Sequence, residues 1–208
     1  MSQYGYSPET SYMGRFNEGG ARRARKASVF GPRFSEASLS TVRLDPKEID
    51  LIAKWLNNPK NFLVVIGSPG AGKTYLCAAI FDWMMDKTNS IRYWNERQLL
   101  RALRDGIDSG HGDYLKDLKL KSDDEFFILD DIGSSGAPSE WRKEVLFDLL
   151  DMRYESMLPS VFTSNLTRAE LGNDYGKRFA SRLCARENTI IELHDATDLR
   201  SVDLNERK

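Results

Sequence analysis

The chain has 208 residues, 40% of them hydrophobic and 29% charged, with a formal net charge of −1. That length accommodates one α/β domain with a tail, and the composition suits a soluble globular chain that buries a real core. A charge so near zero excludes a global field for nucleic acid, so any such site must be local.

The longest apolar stretches, FLVVI and FFIL, fall far short of the ~20 residues that span a membrane. The opening MSQYGYSPETSYMGRF lacks the apolar core of an export signal. Cys77 and Cys184 are far apart and read as small buried hydrophobes, which points to a reducing, cytoplasmic setting. His111 and His194 are equally isolated and suggest no metal site.

Residues 1–32 are rich in Gly, Ser, Tyr and Arg without a period of 3.6 or 2, and are expected to form a flexible basic arm. Arg22, Arg23, Arg25 and Lys26 cluster there, either as a solvated stretch or as a phosphate-binding one. DPKEIDLIAKWLNN opens with Asp45 as N-cap and Pro46 at the first helical position, and puts Ile49, Ile52, Trp55 and Leu56 on one face.

The apolar strand 62–66 leads directly into GSPGAGKT, residues 67–74. Its spacing G-x-x-x-x-G-K-T is that of a phosphate-cradling loop. Gly67, Gly70 and Gly72, with Ser68, Pro69 and Ala71 between them, let successive N–H groups turn around one anion. A helix over 73–86 adds its positive end, Lys73 reaches the β- and γ-phosphates, and the Thr74 hydroxyl ligates Mg²⁺. Tyr75 follows directly and belongs to the same nucleotide-binding stretch.

IRYWN (91–95) reads as a strand whose Tyr93 and Trp94 offer stacking surfaces, one of them turned into the core. ERQLLRALRDGI reads as an amphipathic helix with Leu99, Leu100 and Leu103 inward. Arg97, Arg101 and Arg104 line its opposite face and form the candidate DNA contact, with Lys116 and Lys119 beyond. DSGHGD is a loop and DYLKDLKL a short helix.

FFILDD (126–131) is a buried strand that delivers two acids at its end. Asp130 is placed to hold Mg²⁺ and Asp131 to orient or deprotonate the attacking water. A helix over 139–157, a strand in SVFTSN (160–165), short helices around 167–171 and 175–184, and a last strand TIIEL (189–193) complete the pattern. Apolar strands without strict alternation, each followed by a helix, predict a five-stranded parallel sheet covered on both faces. The ligand then sits at the carboxyl ends of the strands.

GSPGAGKT, FFILDDIG, RYESMLPSVFTSNL and GKRFASRL, in this order, resemble the AAA+ ATPases of the DnaC-type helicase-loader and IstB transposition-ATPase group. The resemblance covers roughly residues 35 to 195. It implies a P-loop NTPase fold over 33–195, followed by a short tail, 196–208, with no room for a separate lid domain. It implies that Asn165 is the polar sensor of the γ-phosphate or lytic water, and that Arg182 is an arginine finger reaching a neighbouring subunit's nucleotide. Arg178, one turn earlier, assists, while Arg200 is a weak substitute for a lid arginine. ATP and Mg²⁺ are the implied cofactors, and single-stranded DNA and a replicative helicase the implied partners.

Self-association through the ATP site is implied as well. A transposase partner, as for IstB, is the alternative, and an ATP-switched assembly module without productive hydrolysis is a third reading. The family often has Glu as the second acid; the shorter Asp131 implies slow basal hydrolysis. The N-terminal region is short for the helicase-binding domain that many loaders carry.

Overall fold

Alternate residues of FLVVIG supply opposite faces of one sheet. Phe62, Val64 and Ile66 enter one apolar core, and Leu63 and Val65 enter the other. A strand buried on both sides needs helices on both sides, and the computed structural model of the protein has them. It describes residues 8–108 and 126–193, with side chains at 19–107 and 126–193. The loop and short helix expected at 108–120, together with Lys116, Lys119, His111, His194 and Arg200, lie wholly or largely outside those residues.

The elements are α1 (Pro8–Phe30), α2 (Pro46–Asn57), β1 (Phe62–Gly67), α3 (Lys73–Met84), β2 (Ile91–Asn95) and α4 (Glu96–Asp108). Then follow β3 (Phe126–Ile132), α5 (Glu140–Glu155), β4 (Ser160–Ser164), α6 (Arg168–Asp174), α7 (Lys177–Leu183) and β5 (Thr189–Leu193). Among the described residues all four strand pairings are parallel, in the order β2-β3-β4-β1-β5. The expected five-stranded α/β architecture is therefore present. Because β4 lies between β1 and β3, the ends of three strands share one edge, and that edge carries the phosphate loop and the acid pair.

Local chemistry sets the element ends. Asp45 caps α2 by accepting from Lys47 N at 2.8 Å, and Glu48 returns a bond to Asp45 N at 3.0 Å, with Pro46 at the first position. Ile52, Trp55 and Leu56 are buried, whereas Ile49 stays outside the core. Leu99, Leu100 and Leu103 of α4 pack on the β1 Phe62 face, and Leu76, Cys77 and Ile80 of α3 on the other.

Where the sequence suggested a flexible arm to residue 32, the structure has a helix. Arg22 donates to Asp86 Oδ1 at 2.6 Å and to the Asp82 carbonyl at 2.6 Å. Lys26 is buried and lies 3.0 Å from Asp82. Arg22 and Lys26 are one turn apart on α1, and they face Asp82 in the last turn of α3 and Asp86 in the turn just beyond it. The docking signal is thus charge matching between two helices, which leaves no apolar period to detect. The apolar anchor comes at the end, where the Phe30 ring meets Tyr93 at 4.0 Å and Phe81 at 5.4 Å. Gly31, at φ +96°, then stops the helix.

A docked α1 predicts that Phe30→Ala lowers the free energy of unfolding by about 1–2 kcal/mol, because this partly buried ring contributes part of what a fully buried aromatic does. Urea denaturation checks this; a disordered arm would leave the midpoint unchanged.

Candidate functional site

The phosphate loop joins β1 to α3, and its glycines serve different ends. Gly70 and Gly72, both at φ +86°, use the left-handed region. Gly67 does not have a positive φ; there, a Cβ would lie 2.8 Å from the Leu193 Cβ, so it is a spacing glycine against β5. Gly72 precedes α3, and no side chain caps that end. Lys73 is 6% exposed, and its Nζ donates to the carbonyls of Gly67 at 2.7 Å and Ser68 at 2.8 Å. Ser68 is exposed, as is Pro69, while Ala71 is buried in the loop's underside. The Tyr75 hydroxyl shares a 2.8 Å hydrogen bond with Thr41, so the nucleotide stretch is braced by the segment that follows α1.

The acid pair is shaped by an irregularity. β3 pairs with β4 through Leu129–Phe162 and resumes at Ile132–Ser164, so Asp130 and Asp131 together stand opposite Thr163. Such a bulge bends the strand and re-aims its side chains. Asp131 takes φ +66°, a conformation that Asp tolerates better than most residues. Thr163 holds both acids: its hydroxyl donates to Asp130 Oδ1 and accepts the Asp131 N–H at 2.9 Å.

Asp130 is 2% exposed. Besides Thr163, it accepts from Thr74 Oγ1 at 2.7 Å, from the Tyr93 hydroxyl at 3.2 Å and from Cys77 Sγ at 3.7 Å. Burial, then the Asp130 charge, pushes the Tyr93 phenol and the Cys77 thiol upward, so both remain protonated donors at neutral pH. A buried carboxylate beside a threonine hydroxyl, with uncharged donors around it, is a fitting seat for a hard cation. Mg²⁺ takes one or two such ligands and keeps several waters. Asp131 is half-buried, and its Oδ1 accepts from Asn165 Nδ2 at 2.8 Å, which brings the end of β4 to the same edge.

Six sequence-selected residues are thereby drawn together: Gly67, Lys73, Thr74, Asp130, Asp131 and Asn165. Arg182 and Arg178 point elsewhere within the chain. Arg182 is half-buried on α7 and forms ion pairs with Asp151 and, at 3.8 Å, Glu155 of α5. Both guanidinium groups lie over the Phe147 ring, at 5.5 and 5.3 Å. Arg97, Arg101 and Arg104 are exposed on α4, with Arg104 resting 4.8 Å over Trp141. The alternative basic cluster is largely committed to α1 docking, since Arg22 and Lys26 pair with α3 and Arg25 lies over Phe81.

Sequence reading missed Thr163, Tyr93 and Cys77 as partners of Asp130. The available signal was polarity out of place: Thr163 interrupts an apolar strand next to the acid-bearing one. It also missed Glu96, Arg142 and Tyr175, which form a buried polar cluster beneath the Asp131 turn.

Among known proteins, the family model described as IstB-like ATP binding protein matches residues 34–183. The chain belongs to that family. It is 28% identical over 113 residues to the replicative helicase loader DnaI of Bacillus subtilis, covering 54% of this chain and 36% of that protein. It is 27% identical over 117 residues to the replicative helicase loader DnaC of Escherichia coli K12, covering 56% of this chain and 47% of the relative. The matched segments therefore span less than half of those relatives. The crystal structure of the DnaC helicase loader superposes with a TM-score of 0.67 at 23% identity, over 77% of this chain and 98% of that one, which establishes the shared AAA+ fold. No described helix is long and apolar enough to cross a membrane.

The twofold use of Thr163 predicts that Thr163→Val, nearly equal in volume, costs about 2–3 kcal/mol, because it strips a donor from a buried carboxylate and leaves an amide unpaired. Denaturant titration measures the loss. Nucleotide binding should also require more Mg²⁺ than in the wild type.

Proposed function

We propose that the chain is a helicase-loader-like AAA+ ATPase of the cytoplasm that binds Mg·ATP, assembles through its ATP site and acts on single-stranded DNA for a replicative helicase. The supporting observation is the adjacency of two pairs behind the phosphate loop, Thr74 with Asp130 and Asn165 with Asp131. The first is suited to a metal and the second to a water.

Triphosphate entering the loop offers Lys73 a stronger acceptor than the Gly67 and Ser68 carbonyls, so the ammonium turns from them to the β- and γ-oxygens. Backbone N–H groups from Gly70 to Thr74 and the start of α3 complete the cradle. Thr74 and Asp130 would hold Mg²⁺, which would supply neutralisation of the phosphate charge. Asp131 accepts a proton from, or orients, the attacking water, and Asn165 holds the Asp131 carboxylate through Nδ2, whose second N–H would serve the γ-phosphate. Asp131 is one methylene shorter than Glu, which favours slow basal turnover.

Phosphoryl transfer spreads charge over equatorial oxygens, and an arginine supplied in trans is worth ~10³ or more in rate. Arg182 suits that role by exchanging Asp151 and Glu155 for a triphosphate, an acceptor of higher charge, with Arg178 alongside. Specific ATPase activity is then expected to rise with protein concentration. Arg182→Ala should bind ATP normally and lose the rise, and mixing it with Lys73→Ala should restore part of it, because each supplies what the other lacks at a shared interface. Activity that is flat with concentration, and mixtures that do not complement, would instead favour an ATP-switched binding module.

DNA is assigned to the exposed stripe on α4. Arg101→Glu with Arg104→Glu is expected to weaken single-stranded DNA binding and flatten its salt dependence, by about 0.7 of a unit of slope for each phosphate that is no longer neutralised. Fluorescence anisotropy across a salt series measures this, and an unchanged slope would place the DNA elsewhere. The resemblance to the IstB transposition ATPases supports a second reading, remodelling of duplex DNA for a transposase; a preference for duplex over single strand in the same assay would favour it.

A further inference from the structure

Glu96 is the first residue of α4 and is fully buried. A carboxylate costs a great deal to bury unless its oxygens are met, and these are met from three directions. Arg142 Nε and Nη2 donate at 2.9 and 2.5 Å, and the Tyr175 hydroxyl donates at 2.7 Å. The fourth donor is the Gly133 N–H, 3.1 Å from Glu96 Oε2.

That last bond touches the proposed chemistry. Gly133 lies two residues beyond Asp131, at φ +90°. On its other side a Cβ would collide with Leu166 Cδ1, and Leu166 follows Asn165 directly. The turn carrying Asp131 is therefore held between the Glu96 carboxylate and the residue next to Asn165. The arrangement is well secured electrostatically. Burial draws the Arg142 guanidinium down in pKa, but the hydrogen bond and charge of Glu96 outweigh it, and the net direction is up. Burial followed by the Glu96 charge holds the Tyr175 phenol protonated, as a donor.

The cluster also joins elements that no single strand connects. Arg142 belongs to the first turn of α5, and its Nη1 binds the Gly136 carbonyl at 3.1 Å, which closes the far end of the loop after β3. Tyr175 stacks on Phe179 of α7 with ring centroids 5.0 Å apart. Glu96 thus links the helix of Arg97, Arg101 and Arg104, the turn of Asp131 and the helix of Arg178 and Arg182.

We propose that Glu96 is a positioning residue for hydrolysis, which fixes the Asp131–Gly133 turn through the Gly133 amide. It touches neither nucleotide nor metal; it acts through Asp131. The role rests on the ATPase reading above, but the geometry it claims can be measured without nucleotide.

The test uses the full chain with Glu96→Gln and Tyr175→Phe. Tyr175→Phe keeps the stacked ring and removes one donor, so it stands in should Glu96→Gln fail to fold. Three quantities are read: amide hydrogen exchange over 131–134 in nucleotide-free protein, affinity for a non-hydrolysable ATP analogue with Mg²⁺, and kcat. The expected result for Glu96→Gln is exchange over 131–134 faster by about tenfold, with analogue affinity within about twofold and kcat down by about tenfold or more, the pattern of an interaction made only in the transition state. Tyr175→Phe is expected to move in the same direction by a smaller factor.

Unchanged exchange over 131–134, or exchange that rises equally throughout the sheet, would overturn the assignment. So would analogue affinity falling in step with kcat, which a merely structural role produces. A wild-type protein that does not turn over ATP would overturn the ATPase reading instead, while the exchange measurement would still decide whether Glu96 holds the turn.

Discussion

The site depends on one constraint: a strand must place two consecutive carboxylates at one edge, although successive side chains of a regular strand point to opposite faces. The bulge opposite Thr163 resolves it. Asp130 remains in the layer beneath the phosphate loop, and Asp131, in a left-handed conformation, turns toward Asn165. Conformations of this kind cost about 1–3 kcal/mol and persist only where the surroundings determine them. Here the surroundings are the Thr163 hydroxyl, which binds both residues, and the Glu96 carboxylate, which holds Gly133 just beyond.

From that point outward the structure is organised as layers of decreasing apolarity. Two aliphatic and aromatic cores cover the sheet and leave its strands no freedom to slip, because a one-residue shift would exchange Phe62 and Val64 for Leu63 and Val65 on each face. Above them lies a polar layer, Thr74, Tyr93, Thr163 and Asp130, that is hydrogen-bonded around one buried carboxylate. Such networks make a single geometry much more favourable than its alternatives. The N-terminal helix contributes indirectly, since Phe30 packs on the same Tyr93 whose hydroxyl reaches Asp130.

Sequence alone revealed those parts of the fold that depend on local pattern. Phe62–Ile66, Ile91–Asn95 and Thr189–Leu193 were legible as strands from their apolar runs, and the α2 cap from Asp45, Pro46 and Glu48. The phosphate loop was legible because its chemistry needs fixed residues at fixed spacing. Three features were not. The docking of α1 uses Arg22 and Lys26 against Asp82 and Asp86, and a charge match between distant segments has no periodicity. The pairing of Arg182 with Asp151 and Glu155 joins α7 to α5, and nothing in GKRFASRL signals a partner about thirty residues earlier. Glu96 looks like an ordinary acid in the first turn of a helix, where a favourable dipole already accounts for it; only the fold shows that it is buried.

The proposed function requires the carboxyl-end cleft to hold Mg·ATP, with Lys73 and the two acid-bearing pairs converging on the γ-phosphate. A crystal structure with Mg²⁺ and a non-hydrolysable ATP analogue decides whether it does. The expected complex has Lys73 Nζ released from the Gly67 and Ser68 carbonyls onto the β- and γ-oxygens, the metal beside Thr74 and Asp130, and Asp131 with Asn165 facing the γ-phosphate. Triphosphate bound away from the loop, or bound there with Lys73 still on its carbonyls and Asp131 turned aside, would contradict it.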